Sequence, residues 1–380
     1  MIRCFVFLLA TLPVFGQLPT VSQGDIVAHD QRLTKGIGTS KAGELTIASF
    51  NIRNLGSRGR SFADYEELVN IMDEADVVLI QEAGLGFYDK NEGLTGEKEQ
   101  ERTHAMTELF KIFFGPLWTV VSDGLPSGSG PGAETSILIH RKQAEGYGLS
   151  AAWTGFVDLG ERREMGSFLL TASNESGSEK IAIGSVHLKP DDPERGEEMN
   201  LMTDWLIQQA EQNLQAIVMG DMNWGYAPTK DVENYLGENR ISQLHKDGKI
   251  YQLFAEISYL KKGKDGALRT NMGFRKSAYF YDQFVMTPNL GKRLADGGEL
   301  LKDCGIYAFG GKGRMKKLRG DATKRKMKAI DAFIKNAGLD VTQHQEAYDK
   351  TMAKMQQAAD NEATFLISDH RLVWVQFKLF

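Results

Sequence analysis

Apolar positions along the chain fall into short runs separated by turn-forming clusters, and the period switches between that of a strand and that of a helix. The runs LTIASFNI (45–52), VVLIQE (77–82), TVVS (119–122), TSILIHR (135–141), SFLLTAS (167–173), KIAIGSVHL (180–188), AIVMGDM (216–222), YFYDQFVMT (279–287) and HRLVWVQFKL (370–379) read as strands. Helical patterns lie near 62–74, 99–114 and 195–212. Strands therefore dominate, with helices outside them, and the stretch between 223 and 278 reads as loop-rich. Several strands are apolar on both faces and end in a polar cluster, as in VVLIQEAG and AIVMGDMN. That pattern predicts buried central strands whose polar tips converge at one edge, where a site is expected. No repeat of 20 to 50 residues stands out.

The ends of the chain have a different character. Residues 1–16, MIRCFVFLLATLPVFG, carry one early positive charge at Arg3, an apolar core from Cys4 to Phe15 and a small residue at 16. This is the pattern of a secretory signal peptide, and the run is shorter than the ~20 residues a membrane span needs. The expected product is a soluble protein, secreted or periplasmic, with residues 17–43 as an N-terminal arm and 44–380 as the folded domain. Cys4 would leave with the signal, so Cys304 would stand alone and stability would rest on an apolar core or a bound metal.

Charge changes the picture in one place only. The 380 residues carry 45 Lys and Arg against 50 Asp and Glu, a net charge of −5, with 42% hydrophobic residues. Whole-chain disorder is excluded by this composition, and so is a protein that coats nucleic acid by bulk charge. Within 311–335, however, ten basic residues face two acidic ones, a local net charge of +8. Together with the helix-prone 340–363 it marks an insertion at about 290–364, to be read either as a solvated helical excursion or as a phosphate-binding patch.

Chemistry-bearing residues gather at the strand ends: Asn51 in SFNIRN, Glu82 in IQEAG, His187 in SVHLKP, Asp221 and Asn223 in GDMN, Asp282 in YDQF, and Asp369 and His370 in SDHR. Each alone is ordinary turn chemistry. Together they are carboxylates and amides on buried strand ends, costly to desolvate unless they bind a cation or pair with histidine. Glu82, Asp282, Asp369 and Asn51 offer the hard oxygens that Mg²⁺ takes, and two histidines and Asp221 remain for proton transfer. That inventory fits metal-assisted hydrolysis of a phosphate ester.

The ordered series N…QE…H…GDxN…YD…SDH resembles the endonuclease/exonuclease/phosphatase superfamily over Glu44 to Phe380, and GAETSILIHR and RREM resemble segments of deoxyribonuclease I. The resemblance implies a four-layered α/β sandwich, two packed and mainly antiparallel β-sheets flanked by helices, with a divalent metal at one end. It implies Mg²⁺, or alternatively Mn²⁺ or Ca²⁺, on Asn51 and Glu82, with Asp369 as a further ligand or an orienter. Asp221 would orient or deprotonate the attacking water, and Asn223 would hold a phosphate oxygen. His187 would pair with Glu134 and His370 with Asp282, and Arg163 would contact substrate phosphate. Glu134 follows SGSGPGA and is otherwise a solvated loop residue, and Arg162 is the alternative to Arg163.

The activity expected from the resemblance is an exported Mg²⁺-dependent endonuclease cutting DNA. A phospholipid phosphodiesterase of the sphingomyelinase kind, a phosphatase of small phosphorylated molecules and, last, a non-enzymatic binding module stand as alternatives. DNA is the expected partner, no obligate protein partner is evident, and no transmembrane segment is expected in the mature chain. The sequence departs from the pattern at Met222, where the family often has Phe, and in SDHRLV, which lacks a following Tyr-Pro. Asp282 and Asp369 are also 87 positions apart, a spacing that contains the basic stretch.

Overall fold

A computed structural model describes residues 42–52, 62–83, 107–108, 110–122, 135–160, 164–190, 193–224, 236–253, 281–294, 304–306 and 372–379. The signal-like segment and the arm up to residue 41 lie outside them, as do the basic run 311–335 and the helix-prone 340–363. Among the described residues thirteen strands make two sheets. The first has the order β12-β13-β1-β2-β4-β3, built from Glu44–Asn51 (β1), Val77–Ala83 (β2), Trp118–Val121 (β3), Thr135–Arg141 (β4), Cys304–Ile306 (β12) and Val373–Lys378 (β13). The second has the order β10-β11-β9-β8-β7-β6-β5, from Gln143–Ala144 (β5), Tyr147–Asp158 (β6), Glu164–Asn174 (β7), Gly177–His187 (β8), Gln215–Asp221 (β9), Tyr251–Gln252 (β10) and Asp282–Met286 (β11).

Each sheet is antiparallel except for one central parallel pair, β1 with β2 and β8 with β9. A parallel pair requires a crossover. In the first sheet helix α1 (Phe62–Met72) lies between the paired strands in sequence, and in the second α2 (Glu194–Glu211) does. A third helix, α3 (Leu236–Lys246), packs against α2. β1, β2 and β9 are buried on both faces, and β8 is buried or half-buried from Ile181 onward, which is why they read as apolar runs there.

Three apolar layers follow from the period of two along these strands. Ala48, Phe50, Val78 and Ile80 face α1 and the helical residues Phe110 and Phe114. Leu45, Ile47, Val77 and Leu79 face Ile181, Ile183, Ile217, Met219 and Phe284 of the other sheet. Val186, Ala216, Val218 and Val285 face Met199, Met202 and Leu206 of α2 and Ile241 of α3. The result is helix, sheet, sheet, helix: the four-layered sandwich expected above. Cys304 lies in the inter-sheet layer, and Met222 is buried in the layer under α2.

The stretch expected to leave the core at about 290 does not leave it there. Leu294 bridges to Phe377, and Cys304–Ile306 pairs with β13 at the edge of the first sheet. The hydrophobic pattern predicts neither strand β6 nor helix α3. β6 is an outer strand with alternating exposure and small residues, and α3 lies inside the stretch read as loop. No helix among the described residues is long and apolar enough to cross a membrane.

Gly220, on β9, has φ 142°, and a Cβ there would overlap the carbonyl of Val186 on β8. Only glycine tolerates both conditions. Gly220→Ala is therefore expected to cost about 3 kcal/mol or more, read by urea unfolding; a cost within about 0.5 kcal/mol would contradict the close approach.

His140 is buried on the inter-sheet side of β4; its Nδ1 lies 2.7 Å from the Arg141 carbonyl and its Nε2 has no hydrogen-bond partner among the described residues. Burial, reinforced by Lys142, holds its pKa below the ordinary 6.5 despite that backbone bond. The folded state then binds the proton less readily than the unfolded chain. Stability is complete above the unfolded pKa and declines as pH falls below about 6.5. His140→Leu is expected to flatten that decline between pH 7.5 and 5.5 in denaturant titrations, and an unchanged slope would contradict it.

Candidate active site

The site is the last rung of the inter-sheet layer. On β1 the residues facing the other sheet are Leu45, Ile47, Ser49 and Asn51; on β8 they are Ile181, Ile183, Ser185 and His187; on β9, Ile217, Met219 and Asp221. The apolar alternation thus turns polar at the carboxyl ends of both parallel pairs. The register sets His187 opposite Asp221 and Asp282 opposite Asp221, so that three strands deliver an imidazole and two carboxylates side by side. Asp282 is 0% exposed.

Glu82 reaches this rung by a different route. Alternation would send it, with Val78 and Ile80, toward α1. Two residues of β2, Gln81 and Glu82, instead oppose Ser136 alone between the pairs Ile80–Ile137 and Ala83–Thr135, and Glu82 has φ 55°. A β-bulge of this kind re-aims a side chain. Here the carboxylate turns into the gap between the sheets, where Oε1 accepts from Asn51 Nδ2 at 2.9 Å. A left-handed conformation in a residue other than glycine costs on the order of 1–2 kcal/mol.

The Asn51 amide joins the halves. Its Nδ2 donates to Glu82 Oε1 in its own sheet and, at 3.1 Å, to Asp221 Oδ2 in the other. His187 lies between the same carboxylates, Nδ1 at 3.8 Å from Glu82 Oε1 and Nε2 at 3.6 Å from Asp221 Oδ2. One rung deeper, Ser49 donates to Gln81 Oε1 at 3.3 Å, Gln81 Nε2 donates to Ser185 at 3.4 Å, and Ser185 meets Ser136 at 2.9 Å, a polar strut between the sheets. Asn223, at φ 47°, closes the turn after β9: its N–H donates to Asp221 Oδ1 at 2.8 Å and its Nδ2 to the Leu188 carbonyl at 2.7 Å.

Of the residues singled out from the sequence, Asn51, Glu82, His187, Asp221, Asn223 and Asp282 are thus brought together. Glu134, Arg163, Asp369 and His370 lie outside the described residues. The strands they precede all begin at this end: Thr135 opposite Ala83, Gly166 opposite Ser185, and Val373 opposite Ser49. Sequence reasoning missed Arg195 and Glu198 on α2, which bond the turns after β8 and β9. A signal was available, since Arg195 stands in register with the apolar stripe Met199, Met202 and Leu206.

Among the described residues no group of three or more His, Cys, Asp or Glu side chains is arranged to hold a metal ion. The donor set is nevertheless of the kind Mg²⁺ uses, one or two carboxylates and a neutral oxygen, with water and substrate oxygens completing the shell. Glu82 and Asn51 supply that set at the mouth of a rung that also holds Asp221 and Asp282. Buried carboxylates on neighbouring strand ends are costly to keep charged unless a cation or a charged partner offsets them. The residues fit the ion.

A family model described as the Endonuclease/Exonuclease/phosphatase family matches residues 48–370. No curated protein matches the chain. Among solved structures, the human Nocturnin catalytic domain with bound sulfate is similar at 10% identity and a TM-score of 0.45, over 90% of this chain and 97% of that one. Truncated TDP2 from Caenorhabditis elegans is similar at 12% identity and a TM-score of 0.43, over 88% and 98%. An endonuclease/exonuclease/phosphatase family protein from Bacteroides thetaiotaomicron is similar at 13% identity and a TM-score of 0.42, over 88% and 94%.

The bulge gives a test in which stability and function part. Glu82→Gly relieves the left-handed strain and removes one of three close carboxylates. In EDTA it is expected to hold or raise the unfolding free energy by about 1 kcal/mol, while the rise in Tm on adding Mg²⁺ or Mn²⁺ disappears. A less stable variant that keeps the metal-induced shift would show Glu82 to be structural.

Proposed function

Because the chain belongs to the Endonuclease/Exonuclease/phosphatase family, whose members hydrolyse phosphoric esters, we propose that it is an exported, Mg²⁺-dependent phosphodiesterase, and that its substrate is DNA. The observation that carries this reading is the convergence of Asn51, Glu82, His187, Asp221 and Asp282 on one rung spanning both sheets.

Asn51 and Glu82 would hold the Mg²⁺ ion, which would supply Lewis-acid polarisation of a phosphoryl oxygen. Around it the chain's own groups divide the work. Asp221, with Oδ1 held by the Asn223 N–H and Oδ2 by Asn51, presents a fixed carboxylate to orient or deprotonate the attacking water. His187, set between Glu82 and Asp221, is placed to meet a phosphoryl oxygen. Asn223 holds a further oxygen, its carboxamide oriented by the Leu188 carbonyl. His370 paired with Asp282 assists departure of the leaving oxygen; Glu134 orients His187; Arg163 contacts the phosphate; Asp369 completes or orients the metal set. These last roles rest on the sequence pattern.

The choice of DNA rests on the segments around Glu134 and Arg163 and on the basic run 311–335, whose +8 charge suits a polyanion in an otherwise acidic chain. Export rests on the signal-like residues 1–16.

Supercoiled plasmid incubated with residues 17–380 is expected to be nicked in Mg²⁺ and left intact in EDTA. Asp221→Asn and His370→Ala are each expected to lower the rate by about 10²-fold or more. Nicking is also expected to weaken steeply with salt. A folded, metal-loaded protein that leaves DNA intact while hydrolysing sphingomyelin or small phosphomonoesters would keep the chemistry and replace the substrate.

A further inference from the structure

Arg195 occupies a position that packing alone would give to an apolar side chain. The face of α2 against the second sheet runs Arg195, Met199, Met202, Leu206, the spacing of a single helix stripe. The guanidinium in that stripe is 1% exposed, and removing such a charge from water is costly unless specific partners receive it. They do. Nη1 donates to the Pro190 carbonyl at 2.9 Å and to the Asn223 carbonyl at 3.2 Å, and Nη2 faces buried Glu238 of α3 at 4.0 Å. Pro190 follows His187 by three residues and Asn223 follows Asp221 by two. One nitrogen therefore joins the turns leaving both strands of the parallel pair.

The strands themselves do not need this bond. They are paired to their ends by the ladder that closes at His187 and Asp221, and by Leu188 N–H donating to the Asp221 carbonyl at 2.8 Å. What the ladder leaves undetermined is the turn beyond it, where Asn223 sits at φ 47°.

We infer that Arg195 is a positioning residue that acts through Asn223. It fixes the Asn223 carbonyl, the fixed turn keeps the Asn223 N–H on Asp221 Oδ1, and the carboxylate is thereby aimed. The inference rests on the reading of Asp221 and Asn223 as the groups that handle water and phosphate, and it extends that machinery to a buried helix residue.

Two variants test it: Arg195→Met, which keeps the bulk, and Arg195→Lys, which keeps the charge without the fork. The first readout needs no activity. Amide hydrogen exchange at Asn223, followed by NMR, is expected to quicken on the order of tenfold in Arg195→Met, with strand amides of β8 and β9 unchanged. The second is hydrolysis of bis(p-nitrophenyl) phosphate with Mg²⁺. Arg195→Met is expected to lower kcat/KM by about 10- to 100-fold, but to lower the residual rate by less than about threefold when Asp221→Ala is already present, since the carboxylate that the turn aims is then gone. Arg195→Lys is expected to stay nearer to Arg195→Met than to the parent, because the shorter side chain ends before the position of Nη1 and has no second nitrogen to face Glu238. Unchanged exchange at Asn223, or losses that multiply in the double variant, would reduce Arg195 to packing and overturn the inference. If Arg195→Met does not fold, Arg195→Lys carries both readouts, and the same results support or overturn the inference. If the parent protein hydrolyses no phosphodiester, the enzymatic reading fails by itself and the exchange at Asn223 still decides whether Arg195 holds the turn.

Discussion

The side-chain amide of Asn51 joins the two halves of the site by direct hydrogen bonds, donating to Glu82 within its own sheet and to Asp221 across the gap. Everything else in the arrangement depends on the two sheets meeting at that rung in that register. Each sheet contributes one parallel pair, and only a parallel pair brings two carboxyl ends to the same edge. The antiparallel partners then present their starting ends there: β11 brings Asp282, and β4, β7 and β13 begin within a residue or two of the same rung. A fold that is mainly antiparallel thus gathers groups from at least five strands at one place, by two exceptions to its own pairing rule.

The cost of the gathering is visible in the backbone. Two of the three described residues other than glycine with positive φ are Glu82 and Asn223, both in the site. In one the strain turns a side chain from the helix layer into the inter-sheet gap. In the other it bends the chain sharply after β9, and three hydrogen bonds hold the bend. Apolar packing beneath, continuous through Leu45, Ile47, Leu79, Ile183, Met219 and Phe284, is what sustains both conformations.

Much of this is legible in the sequence, and for identifiable reasons. Strands β1, β2 and β9, and β8 from Ile181 onward, are apolar because both faces are largely covered, and the switch from apolar to polar at their ends is enough to mark Asn51, His187 and Asp221. Glu82 is placed in the site by its sequence context, but its route there is hidden. A bulge is a relation between two strands, and nothing in VVLIQEAG shows that Ser136 alone will oppose Gln81 and Glu82. Strand β6 escapes because its exposed face and small residues blur the alternation, and α3 because its residues lie in a stretch rich in turn formers. Arg195 escapes because a basic residue at the start of a helix reads as solvated, although its spacing from Met199, Met202 and Leu206 places it on the buried face. The pattern also puts the exit from the core too early, since three residues around Cys304 carry no period long enough to register as a strand.

Anomalous diffraction from crystals soaked in Mn²⁺ tests most directly the claim that the two sheets build one cation-dependent site. The account predicts a manganese peak at the shared rung, against Asn51 and Glu82, and its loss in Asn51→Leu crystals of the same form. Manganese seated elsewhere with that rung empty, or a peak at the rung that persists in Asn51→Leu, would contradict it.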